Sequence, residues 1–587
     1  FEPVKRLLQD PRVKKVGQNV KYDLAAIRDA LGWWVEGIHG DTRLWRKLLD
    51  PEAEANLASM GELVGMGGHK LEADQFITDF VKNTRSAAAK VARRQEEEES
   101  SGQTFLIPNI TADQDAEMRL SGGDPYALAY ARVPRSILLR YNGRDSVVTS
   151  LIANTLEGQL AAEPNIQRIW DRVVGPASTA IARVERWGVP CSVDSLNTFE
   201  RELTLNQALI QKRLSVYGNV NWGSTLQLRK FLYEDLGLAP QGTTDSGLPA
   251  TDEQALKALK AQHPAVADIL DLRFINKMKG TYAEGMLAHI RDDDRIHGSI
   301  NLDGARSGRT SMTDPNLQNI PRKDSPEGKM AKDCFVAPPG HLFLQADYGQ
   351  LELRIAALLS GDEEMVKVFK SGVDYHLRTA QLISFVWGKK PEEITRDSAE
   401  RTGAKAFNFG IMYGMSDSSI AKNANCSVAQ ASAIRQAIFG TFKKLAKWIQ
   451  EQLAYARRTG VAWTVWEGCK ARRRPLYRIA DMSEAGSRGR STAENSSYNT
   501  PVQGTASEFC IASLVRCVNL IENDGLPAEL VLPVHDSLLF VVPEKKVLSV
   551  AAEVQGAMTD YNWLCGVPLE VDLEVGKSWG SLSKIKV

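Results

Sequence analysis

Two aspartates, Asp347 and Asp536, stand at the ends of apolar runs far apart in the chain. The run His341-Leu-Phe-Leu-Gln-Ala ends at Asp347, and Val534-His535-Asp536-Ser537 joins Leu530-Val531-Leu532 to Leu538-Leu539-Phe540-Val541-Val542. The second pattern predicts a tight β-hairpin with a carboxylate at its tip. Two strand-end carboxylates that meet can hold two divalent cations, a site suited to in-line attack on phosphorus. One such aspartate alone is usually a cap or a turn residue, so the chemistry depends on the pair and its company.

After Asp347, Gln350-Leu-Glu352-Leu-Arg354 reads as a helix start. Glu352 is there either a surface charge or a group crowding the 2′ side of a bound sugar. Arg401, Lys405, Phe409 and Tyr413 recur every four residues. Each step drifts about 40° around a helix, so all four share a face roughly 120° wide. Two cations followed by two aromatics suit a nucleotide, with charge for a triphosphate and rings beside sugar and base. The plainer alternative is an amphipathic helix with a basic end.

The elements that must position these groups change along the chain. Residues 1–160 mix short strands and helices, and 165–295 are strongly helical, either an arm that clasps something long or a plain packing domain. Within that block Ser224-Thr-Leu-Gln227 predicts a capping box with Gly237 as the left-handed stop, and Thr251-Asp-Glu-Gln254 predicts another. From 296 strand-like runs at Ile300, Leu342 and Leu530–Val542 flank a long helical insertion over about 351–460, which predicts a sheet core with a helical subdomain inserted. The run Arg93 to Gly102, with four consecutive glutamates, reads as a solvated helix end and loop, and 84–125 as a local insertion.

The 587 residues suffice for three to five domains. With 43% hydrophobic and 25% charged residues, the composition is that of a globular protein. Seventy-two basic and 72 acidic residues cancel, so a polyanion would need a local groove. The seven scattered cysteines form no C-x-x-C pair, which predicts reduced thiols in a cytoplasmic compartment and neither a disulfide framework nor a zinc site. No apolar run reaches the roughly 18–20 residues of a membrane helix, and no secretory leader is expected. The start at Phe1 suggests a processed or truncated N-terminus.

Asp347-Tyr-Gly-Gln-Leu-Glu352-Leu-Arg resembles the first palm motif of family A DNA polymerases, the group of bacterial polymerase I and many phage replicative enzymes. Arg401…Lys405…Phe409…Tyr413-Gly resembles that family's fingers helix, and Val534-His535-Asp536 its third motif. Ser307-Gly-Arg309 to Pro321, Asp374-Tyr-His376 and Asn499-Thr-Pro-Val-Gln503-Gly-Thr-Ala506 also match, all in family order from about 165 to the C-terminus. The resemblance implies an α+β multidomain right hand: thumb and start of palm 163–295, palm 296–365 and 491–587, fingers 366–490.

By that resemblance Asp347 and Asp536 bind two Mg2+ ions (Mn2+ as a substitute), and Lys405 contacts the phosphates and protonates the leaving group. Arg401 and His376 hold the outer phosphates. Gln350 belongs to the nucleotide site, Tyr413 closes on the templating pair, and Glu352 is a steric gate against ribonucleotides. Phe409, where relatives carry Phe or Tyr, implies discrimination against dideoxynucleotides. Arg309, Asn499, Gln503 and His535 contact the primer–template duplex. The expected partners are primer–template DNA and dNTPs, with room for a processivity factor or replisome protein, in a cytoplasmic monomer with no membrane association. Two departures stand out: Ser537 replaces the acid that usually follows the third-motif aspartate, and Asn495 replaces an Arg, which leaves one duplex contact either weaker or supplied by nearby Arg488 or Arg490.

Val16-Gly-Gln-Asn19-Val-Lys-Tyr22-Asp23 resembles the second motif of DnaQ-like 3′–5′ exonuclease domains, and Tyr141-Asn-Gly-Arg-Asp145 the third. The resemblance implies a partial RNase H-like α/β exonuclease domain over 1–162, in which Asp23 and Asp145 bind metal and Tyr141 orients water. Its Asp-x-Glu first motif is not found, so proofreading is expected to be inactive or incomplete in this chain. A single-subunit RNA polymerase and an exonuclease-dominated DNA-processing enzyme are the rival readings.

Overall fold

The computed structural model describes residues 1–68, 74–82, 132–244, 246–322, 325–424, 426–481 and 487–587. The acidic run at 93–102 and the insertion at 84–125 lie outside them. The chain divides into two compact units, Phe1–Asp171 and Arg172–Val587.

In the first unit β1 (Lys15–Gly17) and β2 (Ile38–Asp41) pair in parallel across α1 (Val20–Leu31). A parallel pair requires such a crossover. Asp41 caps α2 (Thr42–Leu49) by accepting from Arg43 N and Leu44 N. The 27-residue helix α3 (Arg135–Ala161) packs on α2 and β1. Trp45, 1% exposed, meets Trp170 edge to face at 5.6 Å. This is the expected α/β layer.

The second unit begins with helices, among them α4 (Val193–Leu214), capped by Ser192, and α5 (Pro264–Lys277). Both predicted capping boxes are corrected. Ser224 does accept from Gln227 N, but the Gln227 carbonyl receives Asn221 N at 2.7 Å instead of the Ser224 amide. At the other site the cap is Asp252, not Thr251, accepting from Ala255 N at 2.8 Å, because the helix starts one residue later, at Glu253. Gly237 is left-handed at φ 63, as expected.

The sheet follows. Its central strand β3 (His341–Tyr348) buries Phe343, Leu344 and Ala346 completely. Helices run from α6 (Leu351–Ser360) through α7 (Tyr375–Leu382) and α8 (Ala399–Met412) to Thr459, the predicted insertion. Among the elements not anticipated are the hairpin of β4 (Val461–Trp466) and β5 (Cys469–Pro475), and the 36-residue helix α9 (Ser487–Glu522). Contrary to expectation, Gly489–Glu522 is long and apolar enough to cross a membrane: an 18-residue stretch of it has mean hydropathy 1.2, and 67% of that stretch is buried inside the protein, the pattern of a core helix. Then come β6 (Glu529–Val534), β7 (Ser537–Pro543), α10 (Val547–Thr559), β8 (Val571–Gly576) and β9 (Ser583–Ile585). The five strands lie in the order β6-β7-β3-β8-β9, with every neighbouring pair antiparallel. Sequence neighbours β6 and β7 thus carry the third motif to the flank of β3, which lies far earlier in the chain.

The hairpin is fastened to α9 by a buried ion pair. Arg472 grips Glu508 with bonds of 3.0 and 3.3 Å, and Glu508 is 0% exposed. Deleting one partner strands a buried charge, so Glu508→Ala is expected to lower unfolding free energy by about 3–5 kcal/mol in urea titrations. A loss below about 1 kcal/mol would show that the pair does not hold the hairpin.

Candidate active site

Asp347 and Asp536 meet. Asp347 lies opposite Ser537 of β7 and Asp572 of β8, and Tyr348 N donates to Asp536 O at 3.1 Å. The β6–β7 turn consists of His535 and Asp536, with His535 left-handed at φ 55. Burial pushes the Asp347 carboxyl up to about 7, and the negative charges of Asp536, Asp572 and Glu574 add to it, while Lys405 pulls the other way. A carboxyl crowded by three others is short of positive charge, and a divalent cation would supply it. Among the described residues no group of three or more His, Cys, Asp or Glu forms a metal cage. A pair of carboxylates completed by substrate phosphates is the way Mg2+ is usually held. Ser537 cannot add a carboxylate: its hydroxyl closes the hairpin onto Val534 O at 2.9 Å.

Glu352 is the second centre. It accepts from both the Tyr413 hydroxyl and the Arg309 guanidinium. Gln503 hydrogen-bonds the same Tyr413, whose hydroxyl is held above its ordinary range by burial and then by Glu352. Two residues expected around the base pair, Arg309 and Tyr413, are therefore held by one carboxylate, and Gln503 joins them through Tyr413. Tyr413 falls just past the end of α8 and stacks on Phe409, centroids 6.1 Å apart and 12° between planes. Gly414 follows at φ 73, where a Cβ would meet Asn495 Oδ1 at 2.1 Å. Asn495 donates to Gly414 O at 3.4 Å and accepts from Tyr498 at 2.9 Å. The residue in the Arg position is thus committed to bracing the end of α8. Of its expected substitutes, Arg490 donates to Asp481 O at 2.9 Å, and the Arg488 side chain lies outside the described residues.

The remaining members of the α8 face differ in exposure. Lys405 is exposed, whereas Arg401 pairs with Asp374 at 2.6 Å. Gln350, left-handed at φ 57, also reaches Asp374, at 3.2 Å. Asn499 on α9 keeps a buried Oδ1 with no hydrogen-bond partner. His376 is 3% exposed, accepts from Asn408 Nδ2 at 3.0 Å and lies 5.7 Å from the Phe409 ring. Burial drives its pKa down to about 4, so at neutral pH it is an uncharged donor through Nε2, not a cation.

In the first unit Asp23 is held above the usual carboxylate range by desolvation and then by Asp41, which burial also raises. Tyr141 and Asp145 lie one turn apart on α3, on the same face. Asp41, Asp572 and Glu574 escaped the sequence reading, and Asp374 stood in it only as part of the Asp374-Tyr-His376 match. The alternation Val571-Asp-Leu-Glu-Val575 was the available signal for Asp572 and Glu574, because it predicts a strand with one acidic face.

With this geometry in view, the comparisons with known proteins agree. Residues 193–581 match DNA polymerase family A, and residues 1–94 match a 3'-5' exonuclease family. The chain belongs to DNA polymerase family A. A thermostable DNA polymerase I of Thermus thermophilus is 33% identical over 472 residues, covering 78% of this chain and 55% of the relative. DNA polymerase I of Pseudomonas aeruginosa is 30% identical over 583 residues, covering 98% of this chain and 57% of the relative. The chain thus spans about half the length of these curated relatives. The POL domain of Pol1 from M. smegmatis, solved with DNA primer-template and dNTP, superposes with a TM-score of 0.77 at 25% identity, covering 99% of this chain and 88% of that one.

The His376 shift carries a pH consequence. Its unfolded pKa is 6.5 and its folded value about 4, so below 6.5 the unfolded chain takes up a proton that the folded chain refuses. Stability is therefore lost as pH falls from 6.5 to about 4 and levels off below. The loss approaches about 3 kcal/mol. The stability advantage of wild type over His376→Gln should narrow by about 2–3 kcal/mol between pH 7 and 4.5 in urea titrations. A constant difference would mean that His376 titrates normally.

Proposed function

We propose that this chain is a DNA-directed DNA polymerase that adds dNTPs to a primer 3′ end by two-metal phosphoryl transfer. The observation that carries the reading is the convergence of Asp347 and Asp536 beside Lys405. Asp347 and Asp536 would hold the metals, Mg2+ with Mn2+ as a substitute. Bound metal would activate the primer hydroxyl and neutralise the triphosphate. Lys405 holds a proton at Nζ for the departing pyrophosphate, while Arg401 and the neutral His376 donate to the outer phosphates. Phe409 and Tyr413 offer ring faces to the nucleotide, and Glu352 closes the space at its 2′ carbon. Arg309, Asn499, Gln503 and His535 contact the duplex. Positioning and charge stabilisation do the catalytic work, without a covalent intermediate.

Residues 163–295 would form the thumb and start of the palm, 296–365 and 491–587 the palm, and 366–490 the fingers. The protein would act as a cytoplasmic monomer on primer–template DNA. Residues 1–162 supply an exonuclease-like domain in which Asp23 and Asp145 would bind metal and Tyr141 orient water. This chain is expected to extend a primer, with proofreading inactive or incomplete because the Asp-x-Glu first motif is not found in it.

Primer extension tests these assignments together. Asp536→Asn should cut dNTP incorporation by about two to three orders of magnitude; full activity would sink the reading in favour of a nuclease that clamps DNA. Phe409→Tyr should raise dideoxynucleotide incorporation, and unchanged selectivity would refute the placement of that ring. Preference for ribonucleotides in the wild type would instead identify an RNA polymerase.

A further inference from the structure

Asp374 gathers three groups whose convergence the roles above leave unexplained. Its Oδ1 accepts from Leu377 N at 2.8 Å and caps α7. Its Oδ2 accepts from Arg401 Nη2 at 2.6 Å and from Gln350 Nε2 at 3.2 Å. The two oxygens thus have separate tasks: one ends a helix, and the other joins α8 to the turn that follows Asp347. The carboxylate is well anchored, because the next residue, Tyr375, stacks on Phe369 at 5.4 Å and on Phe442 at 5.3 Å.

Both partners of Oδ2 have an atom left over. Arg401 Nε and Gln350 Oε1 are buried and have no hydrogen-bond partner. A buried guanidinium N–H without an acceptor is costly, as is a buried carbonyl without a donor. One donor and one acceptor, held by a shared carboxylate, make a built receptor for a ligand that offers both anionic oxygens and a hydroxyl.

We propose that Asp374 is a positioning residue for the incoming nucleotide. By occupying Arg401 Nη2 and Gln350 Nε2, it turns Arg401 Nε–H toward a phosphate oxygen and Gln350 Oε1 toward a donor on the same nucleotide. This rests on the polymerase reading above. The carboxylate's charge matters as well as its shape, since a charge-assisted bond holds the guanidinium more tightly than a neutral one. The capping task needs no charge, because Asn and Ser cap as well as Asp.

That separation provides the test. Asp374→Asn and Asp374→Ser keep the cap and discard the anion. dNTP binding is measured with Mg2+ on a dideoxy-terminated primer–template, alongside primer–template affinity and melting temperature. The expected result is a dNTP Kd raised about tenfold in both variants, with primer–template Kd and melting temperature unchanged. An unchanged dNTP Kd in either folded variant overturns the proposal and leaves Asp374 as a helix cap. If neither variant folds, Gln350→Leu removes one arm of the arrangement and must itself weaken dNTP binding; an unchanged Kd there overturns the proposal too. Wild-type protein that binds no dNTP on this DNA would instead overturn the polymerase reading, and the proposal with it.

Discussion

Everything in the larger unit depends on forcing two like charges together. The antiparallel pairing of β7 on β3 sets Ser537 against Asp347, and the backbone bond from Tyr348 N to Asp536 O fixes the hairpin tip beside it. Left to themselves the carboxylates would move apart or one would take up a proton, which is the direction in which Asp347 is driven. The sheet prevents the first escape because its register is locked by Leu344, Ala346 and Tyr348, buried on the face opposite Gln345 and Asp347. A one-residue slip would turn those side chains to the other face. The strain of the acidic pair is thus carried by hydrophobic burial elsewhere.

Around that pair the remaining groups are organised by shared acceptors. Glu352 takes Arg309 and Tyr413, Asp374 takes Arg401 and Gln350, and Glu508 takes Arg472. In each case one anion joins segments far apart in the chain. Local helix and turn preferences build the pieces, and the carboxylates set how the pieces meet.

The legible parts of the sequence were those with a strong local signature. The Val534–Ser537 hairpin, the α8 face and the helical insertion were visible from apolar runs and from four-residue spacing. Asp347 with Asp536 was visible only as a conditional, because no local pattern states which strands become neighbours. Helix α9 was hidden by Pro501 and by its polar first half, and the β4–β5 hairpin by its basic second strand, whose Ala471 and Arg472 are nevertheless buried. The Thr251 cap was missed by one residue because Thr and Asp are both good caps and the tie is broken by tertiary packing. Asp41 and Asp374 look like ordinary helix caps in the sequence, and they are; their additional electrostatic part depends on residues brought in from elsewhere.

The double engagement of Glu352 limits how the chain can be redesigned. Under the proposed reading, trimming this side chain to widen the sugar site would also release the Arg309 guanidinium and the Tyr413 phenol from their shared acceptor, so a change in sugar tolerance would come bundled with a loosened end of α8. A laboratory selection for modified-sugar incorporation would do better to keep the acid and reshape its neighbours, using Gln503 as the surviving hold on Tyr413.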